Sequence, residues 1–231
     1  MGELIAVVSG KGGTGKTSFT AAVSTALAAG GKRVLCIDCD VGLRNLDICA
    51  GGYCLKDATL HPDFPSLHFL TAPVNCPPEH IDSIGFGTFL TDARRSYDYI
   101  FLDAPAGLDA GFKLAASFAD RCILVAGPGP ADLRDASAAV QALELMGKEN
   151  IRLVVNRVRR KLFKAMDITI DDMMDTAGLP LLGIIPEDPD VTLAATFNRP
   201  LLKYKPRSSA ARACMRIAKR IMGLPVPILT R

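Results

Sequence analysis

The sequence predicts a single three-layer α/β domain in which helices cover both faces of a mostly parallel, twisted sheet. Short runs of almost entirely apolar residues alternate with longer segments of helical periodicity along the 231 residues. Strands that are apolar at nearly every position are typical of a sheet that is buried on both faces. The regular alternation of strand and helix predicts right-handed crossovers between parallel strands.

The predicted elements follow one another with short connections. The first half contains strands at "LIAVVS", "RVLCID", "LHFLTA" and "YDYIFLD", and helices at residues 16–29, 85–96 and 109–118. The second half contains strands at "CILVAG", "IRLVVNR" and "PLLGIIP", and helices at residues 131–146, 169–177, 188–197 and about 208–222. Because we find no internal repeat and no linker-like segment, we expect one domain over residues 1–231, with a short tail at 223–231.

Composition excludes several classes of protein. Hydrophobic residues make up 49% of the chain and charged residues 22%, as in soluble globular proteins, and a net charge of +3 is too small to indicate nucleic-acid binding. No apolar run approaches the roughly 18 residues of a membrane-spanning helix, and no signal-peptide pattern is present, so we expect a cytoplasmic protein. The seven cysteines are expected to be reduced thiols. Cys36 and Cys39 are expected on opposite faces of a strand.

Residues 10–17 have the pattern of a phosphate-binding loop. Gly10, Gly15, Lys16 and Thr17 satisfy G-x-x-x-x-G-K-[ST] between an apolar strand and an alanine-rich helix. Glycines allow backbone N–H groups to point inward, and the helix N-terminus adds its dipole, so phosphates find oriented donors. Lys16 is expected to neutralise the β- and γ-phosphates, and Thr17 to coordinate Mg²⁺. The expected nucleotide contacts of the loop are Gly10, Gly12, Gly13, Thr14, Gly15, Lys16, Thr17 and Ser18.

The loop also contains a second lysine, Lys11, which a single phosphate site does not need. At the start of the loop it cannot readily fold back beside Lys16, so we expect it to point outward. The string "KGGTGKT" resembles the deviant phosphate loop of the MinD/ParA family of ATPases. The resemblance implies that Lys11 crosses the interface of an ATP-bound homodimer and stabilises phosphoryl charge on the partner's nucleotide. An ordinary exposed lysine is the alternative.

Aspartates follow two strands that we expect to be neighbours. Asp38 and Asp40 occur in "CIDCDVGLRNLD", and Asp103 occurs in "YIFLDAPAG". A carboxylate at such a strand end is the usual magnesium partner of a phosphate loop, which predicts that role for Asp103, with helix capping as the alternative. Both segments resemble MinD. The resemblance implies that Asp40 orients the attacking water, that Asp38 supports the metal shell and that residues 103–107 sense the γ-phosphate.

Two later segments resemble the adenine-binding parts of the same family. Asn156 occurs in "LVVNRV", and an asparagine side chain offers the donor and the acceptor that the adenine edge requires. Pro186, Glu187 and Asp188 occur in "IPEDPD", which resembles the loop that closes over the base. The resemblance extends from residue 3 to about residue 222. It implies binding of ATP and Mg²⁺, slow hydrolysis to ADP and phosphate, and a switch in cell-division site selection that acts on a protein partner.

Two basic segments suggest other partners. The last predicted helix is amphipathic, with a basic stripe of Arg212, Arg216, Lys219 and Arg220 opposite Cys214, Ile217, Ala218 and Ile221. We expect this helix to pack on the sheet, with attachment to the inner face of the membrane as the alternative.

The second basic segment is the run "NRVRRKLFK", residues 156–164. A solvated loop is expected there, with ParA-type DNA binding in plasmid partition as the alternative. A regulator of flagellar number and a metal-centre maturation ATPase are further alternatives that the family resemblance leaves open.

Overall fold

The computed structural model describes residues 1–39, 58–71, 83–159, 161, 163, 165 and 169–228. The strands are β1 Glu3–Val8, β2 Val34–Asp38, β3 Thr59–His61, β4 Phe64–Thr71, β5 Tyr99–Asp103, β6 Arg121–Ala126, β7 Ile151–Val158 and β8 Leu181–Pro186. The helices are α1 Lys16–Ala29, α2 Ser83–Ser96, α3 Ala110–Phe118, α4 Pro130–Leu145, α5 Ile170–Ala177, α6 Pro189–Thr196, α7 Leu201–Tyr204 and α8 Ser209–Ile221. The predicted α/β class is confirmed.

The eight strands form one sheet in the order β3-β4-β2-β5-β1-β6-β7-β8. Every neighbouring pair is parallel except β3 and β4, which form an antiparallel hairpin at one edge. Strand β3 was not predicted from the sequence. Its signal is the Pro62-Asp63 turn, which joins His61 to Phe64 across the hairpin and which is flanked by β-favouring residues.

Side chains of successive strand residues enter two separate cores, one on each face of the sheet. In β1, Leu4, Ala6 and Val8 belong to the core that α2, α3, α4 and α5 cover. The alternate residues Ile5 and Val7 belong to the core that α1, α6, α7 and α8 cover. This two-sided burial is the physical reason for the uniformly apolar strands.

The two cysteines of the CxxC spacing are divided between these cores. Cys36 lies in the core beneath α1, and Cys39 lies in the core on the other face. Both side chains are buried. The prediction that they face opposite sides is confirmed, and this placement separates the two thiols by the thickness of the sheet.

Helix α8 packs on the sheet through its apolar stripe, as predicted. Cys214, Ile217 and Ile221 are buried against α1 and β8. Arg220, from the basic stripe, turns back and donates hydrogen bonds to the carbonyl oxygens of Leu182, Val226 and Pro227. Its guanidinium therefore holds residues 226 and 227 beside β8. Among the residues that the structure describes, no helix combines the length and apolarity needed to cross a bilayer.

The contact between β8 and α8 leaves no room for a side chain at Gly183. A Cβ atom there would lie 2.4 Å from Cγ1 of Ile217, itself only 1% exposed. We expect Gly183→Ala to lower the free energy of unfolding by about 1–3 kcal/mol, because a packed helix must shift. The check is urea unfolding of both single variants and of Gly183→Ala/Ile217→Ala. The free energy of unfolding of the double variant should fall by less than the sum of the two single decreases. Strictly additive decreases would contradict the packing argument.

Candidate nucleotide-binding site

The candidate site lies at the carboxyl ends of the central strands. β1 ends at Val8, residues 9–15 form a loop, and α1 begins at Lys16. On the neighbouring strands, Asp38 and Asp103 are directly paired across β2 and β5. The fold thus brings the phosphate loop and two of the predicted carboxylates to one edge of the sheet, where open α/β sheets bind ligands.

The phosphate loop depends on glycine where it meets α1. Gly15 has a φ of 90°, in the left-handed region that residues with side chains avoid. A Cβ atom at this position would also lie 2.4 Å from the amide nitrogen of Asn156. The glycine is therefore required both by the turn and by the close approach of β7.

Several polar groups of the loop suit an anionic ligand. The hydroxyl of Thr14 is buried and has no hydrogen-bond partner among the described residues. The backbone N–H groups of Gly13 and Gly15 donate to no described residue either. Lys16, which is mostly buried, donates from Nζ to the Ser9 hydroxyl at 2.9 Å. An unsatisfied buried hydroxyl such as that of Thr14 is costly, and together with the loop N–H groups and the amine of Lys16 it fits the phosphates of a nucleotide.

The hydroxyls of α1 connect the loop to the carboxylate of β5. Thr17 Oγ1 donates to Oδ2 of Asp103 at 2.8 Å, and Thr20 Oγ1 donates to Oδ1 of the same side chain at 3.0 Å. Thr20 was not among the site residues predicted from the sequence. Its signal is the spacing of three from Thr17, which places both hydroxyls on one face of the helix.

Asp103 is held in an environment that disfavours its charge. Burial, followed by repulsion from Asp38, raises the pKa of Asp103 to about 7. The hydrogen bonds from Thr17 and Thr20 and the charge of Lys16 act in the opposite direction. A divalent cation nearby would favour the ionised form.

A magnesium ion here would depend on ligands beyond the protein. Within the described residues, no group of three or more His, Cys, Asp and Glu side chains could hold a metal. Mg²⁺ commonly binds to one or two protein oxygens together with nucleotide phosphates and water, and Thr17, Asp38 and Asp103 fit such a site. Asp40, expected to orient the attacking water, lies outside the described residues.

Lys11 and Lys16 diverge from each other. The amine of Lys11 lies 2.7 Å from Oδ1 of Asp132 and 3.8 Å from Oδ2 of Asp135, on the first turns of α4. The hydrogen bond that Lys11 donates to Asp132 raises the pKa of Lys11. Because its amine contacts α4, the Lys11 side chain points away from its own loop. It is 41% exposed and therefore accessible.

The residues predicted to contact adenine border a groove beside the phosphate loop. Asn156, Pro186, Glu187 and Asp188 line it together with Ser18, and Gly13 and Gly15 complete its loop side. The predicted phosphate and base contacts are therefore adjacent.

The side chains of this groove already have partners within the chain. Asp188 accepts hydrogen bonds from Ser209 Oγ and Ala210 N, and it caps α6. Burial raises the pKa of Asp188, but these hydrogen bonds outweigh it and the net pKa is lowered. Glu187 pairs with Arg159. Asp188 thus joins α6 to α8, a structural role that was not predicted from the sequence.

The basic run after β7 is partly engaged in the same region. Arg157 donates to the carbonyl oxygen of Gly13, and Arg159 pairs with Glu187. Arg160 and Lys164 lie outside the described residues. Two of the arginines considered for DNA binding, Arg157 and Arg159, therefore make contacts at the groove beside the phosphate loop.

Comparison with known proteins agrees with this geometry. Residues 5–201 match the CobQ/CobB/MinD/ParA nucleotide binding domain. The septum site-determining protein MinD of Bacillus subtilis is 37% identical over 254 residues, which cover 99% of this chain and 92% of that protein.

Two solved structures are similar over nearly their whole length. The MinC:MinD cell division protein complex of Aquifex aeolicus matches with a TM-score of 0.88 and 32% identity over 98% of each chain. MinD of Pyrococcus horikoshii, complexed with Mg-ADP, matches with a TM-score of 0.80 and 32% identity over 96% of each chain. This chain therefore belongs to the MinD/ParA family of P-loop ATPases.

Proposed function

We propose that this chain is a MinD-like ATPase that binds Mg-ATP, dimerises around it and hydrolyses it to ADP and phosphate. The observation that carries the proposal is the pairing of Thr17, at the start of α1, with Asp103, at the end of β5. A hydroxyl and a carboxylate in contact beside a phosphate loop form the usual magnesium-binding pair of nucleotide hydrolases. The Mg-ADP complex of the P. horikoshii protein supports the same ligand here. We treat residues 1–231 as one ATPase domain.

Some residues of the site bind the nucleotide, and others stabilise the charge of its phosphates. The loop N–H groups and Lys16 hold the phosphate chain, and Thr17, Asp38 and Asp103 hold the cation and its waters. When bound, Mg²⁺ supplies positive charge against the phosphate oxygens. Asp40 orients the attacking water.

Lys11 acts on the nucleotide of a second copy of the chain. Its amine contacts Asp132 on α4, away from Lys16, and its side chain is accessible. A cation brought by a partner stabilises charge on the transferring phosphoryl group, as an arginine finger does. Hydrolysis therefore depends on dimerisation.

The output is positional control of cell division through a protein partner. The A. aeolicus relative was solved together with MinC, which supports a partner on the surface that the ATP dimer creates. Because ATP binding and partner binding are then thermodynamically linked, the partner must in turn favour the ATP-bound dimer.

The magnesium pair can be tested at Thr17. We expect Thr17→Val to weaken binding of Mg-ADP about tenfold, the loss expected when an interaction with a charged group is removed. Affinity for ADP without Mg²⁺ should change little. Titration calorimetry with and without Mg²⁺ gives both values, and Thr17→Ser, which keeps the hydroxyl, should behave like wild type. Equal losses with and without Mg²⁺ would contradict the assignment.

The role of Lys11 can be tested by oligomeric state and turnover. We expect wild type to sediment as a monomer with ADP and as a dimer with ATP. Lys11→Ala should bind Mg-ADP normally but hydrolyse ATP at least about 10³-fold more slowly, the lower range for a missing arginine finger. Lys205→Ala, which removes an exposed lysine after α7, is the matched control. Unchanged turnover in Lys11→Ala would refute the trans role.

The buried carboxylate predicts a dependence of stability on pH. The pKa of Asp103 is about 7 in the folded protein and about 4 when unfolded. The folded state therefore loses stability as pH rises from about 4 through 7, by up to about 4 kcal/mol. Asp103→Asn, which stays neutral, should avoid this loss.

The measurement is urea unfolding of both proteins from pH 5 to pH 8 without metal or nucleotide. As the pH rises, the free energy of unfolding of wild type should fall relative to that of Asp103→Asn. Saturating Mg-ADP should flatten the wild-type profile, because the cation favours the ionised carboxylate. Parallel profiles without ligand would show that Asp103 does not titrate in this range.

A further inference from the structure

Strand β7 contains a bulge where it passes the phosphate loop. Val155 is paired with Ile184, and Val158 is paired with Pro186. Two residues of β7, Asn156 and Arg157, therefore face one residue of β8. Arg157 has a φ of 59°, in the left-handed region that is unfavourable for a residue with a long side chain. Such bulges redirect side chains and are frequent beside active sites.

The bulge directs two consecutive side chains to the same loop. In a regular strand, neighbouring side chains point to opposite faces of the sheet. Here Asn156 Nδ2 donates to the carbonyl oxygen of Thr14 at 2.8 Å, and Arg157 Nη1 donates to the carbonyl oxygen of Gly13 at 2.9 Å. The backbone N–H of Arg157 donates to Oδ1 of Asn156 at 2.9 Å, which fixes the orientation of the amide.

These hydrogen bonds determine where the loop's own donors point. A trans peptide is planar, so the N–H of one residue points opposite to the carbonyl of the residue before it. Fixing the carbonyl of Gly13 fixes the N–H of Thr14, and fixing the carbonyl of Thr14 fixes the N–H of Gly15. Both N–H groups are then directed away from β7, as a loop that surrounds an anion requires.

We propose that Arg157 is a positioning residue for the phosphate loop. With Asn156, it holds the peptides after Gly13 and Thr14 in the phosphate-binding orientation before a nucleotide arrives. The guanidinium acts on phosphate affinity through the loop, independently of the base. This role rests on the proposed function, because it presumes that the loop binds phosphates.

The test uses a ligand that has phosphates and no base. Binding of inorganic pyrophosphate and of ADP, each with Mg²⁺, is measured by titration calorimetry for wild type, Arg157→Ala and Arg157→Gly. Glycine adopts the left-handed conformation without strain and keeps the bulge, so Arg157→Gly removes the side chain without straining the backbone. Arg152→Ala, an exposed arginine at the other end of β7, controls for the loss of one positive charge.

We expect both Arg157 variants to bind pyrophosphate and ADP about threefold to tenfold more weakly, the loss expected for one hydrogen bond. Arg152→Ala should match wild type. A loss for ADP alone would overturn the inference, because Arg157 would then act on the base. Wild type that binds ADP but no pyrophosphate at millimolar concentration would also overturn it, since a loop shaped in advance needs no base. Wild type that binds neither ligand would instead refute the proposed function.

Discussion

The burial of one carboxylate at the end of β5 constrains most of the site. Asp103 is 2% exposed and is paired across the sheet with Asp38, so its charge must be compensated by groups that the fold brings to it. Two hydroxyls of α1 do so in part, since the pKa of Asp103 is still raised to about 7, and they fix the helix against the strand. Once α1 is fixed, the phosphate loop before it and the amine of Lys16 have little freedom. The same contact that satisfies the carboxylate therefore orients the helix dipole towards the phosphates.

The fold was largely predictable because its signals are local. Uniformly apolar strands, an alanine-rich α1 and the glycine-lysine pattern each occupy a few consecutive residues, and each predicts the same layered structure. The hairpin strand β3 was missed because it has only three residues and its pairing depends on a partner strand. The short helix α7 was missed because four residues are too few for a helical period.

The site was predictable in its outline and not in its connections. Lys16, Thr17 and Asp103 follow from motifs and from the rule that ligands bind at strand ends. Thr20 could have been found from its spacing to Thr17, but the contacts of Asp188 and Arg157 join residues that are far apart in sequence, and no local pattern encodes them. Arg157 in particular has a backbone conformation that sequence alone argues against, since only tertiary context stabilises an arginine there.

The pairing of Lys11 with α4 has an energetic consequence for the proposed assembly. The amine already interacts with Asp132 and Asp135 within its own chain, so its transfer to a partner exchanges one set of anions for another. The contribution of Lys11 to the strength of association then reflects only the difference between its two ion-pairing environments. Such an exchange favours a reversible complex, because neither the separated nor the joined state leaves the cation without an anionic partner.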